Sequence, residues 1–147
     1  MKIKTELTNG LLIFAGIALY FLIMELLGLS GIYYLRALNA LIVFYGINKT
    51  LKSNITEGKI GFLTNLLSAG LTAVIGVLLS AIGLLSYIYI RGADSYIKTL
   101  PNTFFLTGGN ASVNEYCFGI LFEGMASIVV IVLITMLLWT NETTSNN

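Results

Sequence analysis

The sequence contains no histidine and only one cysteine, Cys117, in 147 residues. These two shortages exclude a Cys/His metal site, a Cys-His or Ser-His-Asp nucleophile system and an intrachain disulfide. No catalytic, metal-ligating or cofactor-binding residue is therefore expected, and the chain reads as a non-enzyme. Cys117 reads as a small apolar residue at the head of the last apolar run, with an intermolecular disulfide or a lipid attachment as alternatives. Proline is limited to Pro101. Charge is scarce too: 10% of residues are charged, where a soluble domain carries about a quarter. The net charge of +1 offers no basic surface for nucleic acid.

What the chain has in abundance is apolar sequence, 56% of residues, with a mean hydropathy of +0.88. Its apolar runs approach or exceed the roughly 20 residues that a spanning helix needs. They lack the short alternation of barrel strands. The expected class is an all-α membrane protein, a bundle of four transmembrane helices in a single integral membrane domain over residues 1–147. Fifteen glycines suit closely packed membrane helices, and no room is left for a soluble domain of ordinary size.

The expected spans are residues 10–29, 31–48, 60–90 and 116–139. Lys2 and Lys4 precede the first, which is too long for the apolar core of a signal peptide and reads as an uncleaved span. Asn9 is a candidate N-cap for it. Residues 48–59 form a polar, basic link in which Asn54 and Glu57 have capping-box spacing for the next helix. Residues 91–115 form an outer loop in which Tyr96, Phe104 and Phe105 alternate with polar residues around Pro101. The Asn110-Ala-Ser112 sequon in it reads as a turn, and Ser112 with Glu115 forms a full capping box for the last span. Trp139 marks that span's interfacial end, and residues 140–147 read as a disordered tail.

Four spans place both termini on one side, with Lys2, Lys4, Lys49, Lys52 and Lys59; Arg91 and Lys98 fall on the other. The positive-inside rule then puts both termini in the cytoplasm. In this topology Glu25, Arg36 and Glu123 share one layer in the outer leaflet, with Asn39 one turn below Arg36. An ionised group in hydrocarbon is costly unless it pairs or reaches water. Glu25 and Arg36, equidistant from the Ser30-Gly31 turn, are expected to face each other, with Glu123 joining them or protonated. Such a cluster locks helix register, lines an ion or proton path, or binds a partner. Along the third span Ala69, Ala73, Gly76, Ser80 and Gly83 recur at intervals of four and three, a stripe of small residues against which another helix backbone packs closely.

The layout, with Gly58-Lys-Ile-Gly-Phe62 leading into Ser68-Ala-Gly-Leu-Thr-Ala73, resembles the small four-span membrane proteins of bacteria grouped only as a domain of unknown function. The resemblance implies a bacterial inner membrane location and carries no activity or site residue with it. The expected role is a non-catalytic accessory subunit of a larger membrane complex, partnered by the bilayer and by other subunits or further copies of itself. The alternative is a small transporter or channel using Glu25, Arg36 and Glu123.

Overall fold

The computed structural model describes residues 3–59, 61–100, 103–104, 107–108 and 111–145. Pro101, Asn102, Phe105, Gly109 and Asn110, the first residue of the sequon, lie outside the described residues, as do Lys2, Ile60 and the last two residues of the tail. The chain runs through α1 (Ile3–Leu26), a 3-10 helix (Tyr33–Leu38), α2 (Asn39–Thr56), α3 (Phe62–Ile90), a single turn α4 (Asp94–Ile97), a two-stranded hairpin of β1 (Thr103–Phe104) and β2 (Thr107–Gly108), and α5 (Val113–Ser145). The hairpin is antiparallel, with Thr103 opposite Gly108. Among the described residues, three helices are long and apolar enough to cross a membrane: Ile3–Leu26, Phe62–Ile90 and Val113–Trp139.

The radial distribution of polarity points to a membrane. Leu19, Leu41, Leu67, Ile82, Phe122 and Leu137 face outward, whereas Glu6, Thr50, Asn54, Ser68, Thr72 and Thr135 are fully buried. Lipid accepts an apolar exterior at no cost, and polar side chains must then find partners between the helices. Hydroxyls within the helices also bond the carbonyl four residues back, as Ser80 does to Gly76 and Thr135 to Ile131, which satisfies those donors within the helix.

α1, α2, α3 and α5 pack as one bundle in which α2 touches each of the other three. α1 and α3 run one way; α2 and α5 return. The start of α1, the end of α2 and the start of α3 meet through Glu6, Thr50 and Ser68, and the end of α5 joins α2 there, Trp139 Nε1 donating to Asn48 Oδ1 at 2.7 Å. A core of Ile13, Val43, Ile47, Ala73, Val77 and Ile128 fills this half. At the other end Ile88, Tyr96, Ile97, Leu100 and Tyr116 form a second cluster in which α4 covers α3 and α5.

Several boundaries differ from the expected ones. α1 begins at Ile3 and contains Asn9, which is no cap but an interior residue bonded to α2. No glycine or proline interrupts residues 3–9, and Glu6 in the first turn suits the positive end of the helix dipole. The polar residues 48–56 continue α2 instead of linking it onward. Asn54 caps nothing; it holds Asn65 at 3.1 Å. Asn48, Thr50 and Asn54 make inward-facing contacts there while Lys49, Lys52 and Thr56 are exposed, a helical alternation that keeps the segment in α2. α5 extends to Ser145, since Thr140–Ser145 holds no glycine or proline to stop it. The Ser112–Glu115 box forms as expected, with Ser112 N–H donating to Glu115 Oε2 at 2.8 Å and Glu115 N–H to Ser112 Oγ at 3.4 Å.

The turn after α1 centres on Gly28, not on Ser30-Gly31. Gly28 has φ +68, with Leu29 N–H bonded to Met24 O and Gly28 N–H to Glu25 O, a left-handed helix stop that favours glycine. Gly58 and Gly92 end α2 and α3 by the same bond pattern. Nothing lies within 4 Å of a Cβ placed on Gly28, so Gly28→Ala tests backbone strain alone. It is expected to lower stability by about 1 kcal/mol, read as a fall in the thermal midpoint in detergent.

Candidate functional site

The small-residue stripe of α3 brings the helices together. A Cβ on Gly76 would meet Ile13 Cγ2 at 2.5 Å and Gly10 O at 3.2 Å, and one on Gly83 would meet Phe14 at 2.9 Å. Ala69 and Ala73 are fully buried on the same face, and Ser80 lines the space beside it. Ile13 also fills the place of a side chain at Gly46 of α2. The stripe is therefore occupied by α1 of the same chain.

Towards the Glu25 end the helices part around a cavity of about 460 Å³. Phe14, Ile17 and Phe21 of α1, Val43 of α2, Leu84 of α3 and Ile120 of α5 give it apolar walls. Its polar groups are few. Arg36 enters from the 3-10 helix and Asn39 from the start of α2, three residues apart and hence eclipsed along a 3-10 turn. Arg36 Nη2 binds Glu123 Oε2 of α5 at 2.8 Å, the two side chains being 21% and 40% exposed. Asn39 Oδ1 is buried without a hydrogen-bond partner.

Glu25 does not join this pair. Its Oε1 lies 3.5 Å from Arg91 Nη2 at the end of α3, and the Arg91 guanidinium rests 5.9 Å from the Tyr87 ring centre and 5.7 Å from that of Tyr96. The expected facing of Glu25 and Arg36 is thus corrected: the layer divides into two ion pairs, Glu25–Arg91 and Arg36–Glu123. The cause is the connection. Gly28 ends α1 early, and the chain passes through Leu29–Ile32 before the 3-10 helix, so distance from the turn no longer sets equal depth or facing. Burial, followed by the Glu25 carboxylate, pushes the Tyr96 phenol above its ordinary range. Arg91 could have been found beside Glu25 only by knowing that the ends of α1 and α3 meet.

A second polar group, unforeseen in the sequence, sits at the opposite end. Ser68 Oγ donates to Glu6 Oε1 at 2.8 Å, Thr72 Oγ1 donates to Ser68 O at 2.8 Å, Thr50 and Thr72 hydroxyls lie 2.9 Å apart, and Asn9 Nδ2 donates to Thr50 Oγ1 at 2.9 Å. Beside it Asn54, Asn65 and Lys59 staple the α2–α3 link. The sequence signal for Glu6 is its register: Glu6, Asn9, Gly10 and Ile13 lie on one helical face and are all buried. The chain matches no family model, and neither the curated proteins nor the solved structures contain a match to it.

Proposed function

We propose that the chain is a four-span membrane protein that takes a small neutral amphiphile into the Arg36–Glu123 cavity, as the binding step of a small transporter. The 3-10 helix and α2 together form the fourth crossing: at about 2.0 and 1.5 Å per residue, Tyr33–Thr56 is long enough to accompany the other three. Lys4, Lys49, Lys52 and Lys59 gather at the Glu6 end, with Arg91 and Lys98 at the other, which supports cytoplasmic termini. The cavity carries the functional reading. Its walls suit an apolar body, and its polar end offers an ion pair with both signs of charge plus the unpartnered oxygen of Asn39, which suits a dipolar head that can donate a hydrogen bond. The accessory-subunit role loses its main support because the stripe that would dock a neighbour lies against α1.

A nitroxide-labelled fatty alcohol added to the protein in nanodiscs tests this. The expected result is a saturable, motionally restricted component that Ala40→Trp, which fills the cavity, removes. Leu19→Trp on the lipid-facing surface should leave it in place. A restricted component of equal size in both variants would overturn the proposal.

A further inference from the structure

The Glu6 cluster leaves one carboxylate oxygen unserved. Glu6, Thr50, Ser68 and Thr72 are 0% exposed and Asn9 is 4% exposed. Ser68 spends its hydroxyl proton on Glu6 Oε1, and Thr72 spends its own on Ser68 O. The Thr50 proton goes to Thr72 Oγ1 or Gly46 O. Asn9 gives one amide N–H to Thr50 Oγ1, and neither its second N–H nor any other donor reaches Glu6 Oε2, which is buried with no hydrogen-bond partner. Among the described residues no Lys or Arg pairs with Glu6. A buried carboxylate with neither a counter-charge nor a full set of bonds is expensive. A proton on Oε2 would remove the charge but leave its own O–H with no acceptor. A cation held by Oε2 answers both needs.

We propose that Glu6, with Ser68, Thr72, Thr50 and Asn9, forms a binding site for one sodium ion between α1, α2 and α3. The donors are hard oxygens, the class that hard cations take. One carboxylate balances one positive charge. Among the described residues no group of three His, Cys, Asp or Glu side chains exists that would hold a more highly charged metal. The site is built by close helix approach: a Cβ on Gly10 would meet Thr72 O at 3.2 Å, so the bare backbone there lets Glu6, one turn earlier, reach Ser68. The proposal stands apart from the cavity reading, since the two sites lie at opposite ends of the bundle.

The test is the thermal midpoint of the full chain in detergent, titrated from 1 to 300 mM sodium at constant ionic strength with N-methylglucamine, and again with potassium. A saturable rise on the order of 5 °C with sodium is expected, with a much weaker one for potassium. Glu6→Gln should abolish the response, and Thr72→Val should shift its midpoint at least tenfold to higher sodium. Sodium-23 line broadening on the unmodified protein supplies a readout that needs no variant to fold. Ala40→Trp should keep the sodium response, whatever it does to the amphiphile. Equal responses to sodium and potassium, a sodium response that survives Glu6→Gln, absence of line broadening, or a midpoint that follows pH through Glu6 and ignores sodium would each overturn the proposal.

Discussion

Gly76→Leu is expected to cost on the order of 3 kcal/mol, the upper part of the overpacking range, and to be the most damaging single change in the bundle. A Cβ at this position meets Ile13 Cγ2 at 2.5 Å, Ile13 Cβ at 2.7 Å and Gly10 O at 3.2 Å. Ile13 cannot retreat, because it already occupies the space above Gly46 on α2. Backbone and a Cβ are rigid obstacles, so α1 and α3 would have to separate and the Ser68–Glu6 bond would break with them. Gly70 provides the control. It lies on the same helix, and a Cβ placed on it would have nothing within 4 Å, so Gly70→Leu should be neutral or stabilising by up to about 1 kcal/mol through helix propensity. Thermal midpoints and the monodisperse fraction in mild detergent read both. Similar midpoints for the two variants would mean that the α1–α3 contact does not set stability. A Gly76→Ala, Ile13→Ala cycle should also show favourable coupling.

Arg36→Met should cost about 2 kcal/mol, whereas Glu25→Gln should cost about 0.5 kcal/mol or less, although both break an ion pair. Arg36 and Glu123 meet inside the bundle at 2.8 Å. Removing Arg36 leaves a carboxylate beside an apolar cavity, and the loss is dominated by that unpaired charge. The figure is kept below that of a fully buried pair because the Glu123 side chain is 40% exposed. The double variant Arg36→Met, Glu123→Met should recover most of the stability, since neither charge then remains. For Glu25 the partner is different in kind: the Arg91 side chain is 53% exposed at a helix end, with a longer contact of 3.5 Å, and it keeps its place over Tyr87 and Tyr96. The Glu25 side chain is only 15% exposed, but the charge that Glu25→Gln leaves behind is that of Arg91, which solvent reaches, so little is lost. Chemical or thermal unfolding of the three variants in one detergent decides the matter, and a double variant no better than Arg36→Met alone would assign the loss to something other than the stranded charge.

Much of the architecture is legible in the chain. Long apolar runs with scarce charge lead to membrane helices, and the spacing of Ala69, Ala73, Gly76, Ser80 and Gly83 marks a close-packing face, which α1 fills. The Ser112–Glu115 box is legible because capping is a contact between residues three apart. Gly28, Gly58 and Gly92 are legible in principle as helix stops, but the Ser30-Gly31 pair is the more conspicuous turn signal and hides the first of them. Asn9 and Asn54 mislead as caps because a polar residue near an apolar run looks like a helix end until a neighbouring helix is known to cover it.

Composition and periodicity thus determined the class, the all-α membrane character and the packing stripe, because each depends on the transfer of side chains into lipid or on neighbours along one helix. Tertiary structure alone decided which charges meet. Arg36 and Glu123 are 87 positions apart, Glu25 and Arg91 66, and Glu6 and Ser68 62. Each pairing follows from the rotation and axial offset of one helix on another, which the glycine stops and the Gly10–Gly76 contact set in three dimensions. A helix specifies which of its residues share a face, but only its packed neighbour determines what that face meets.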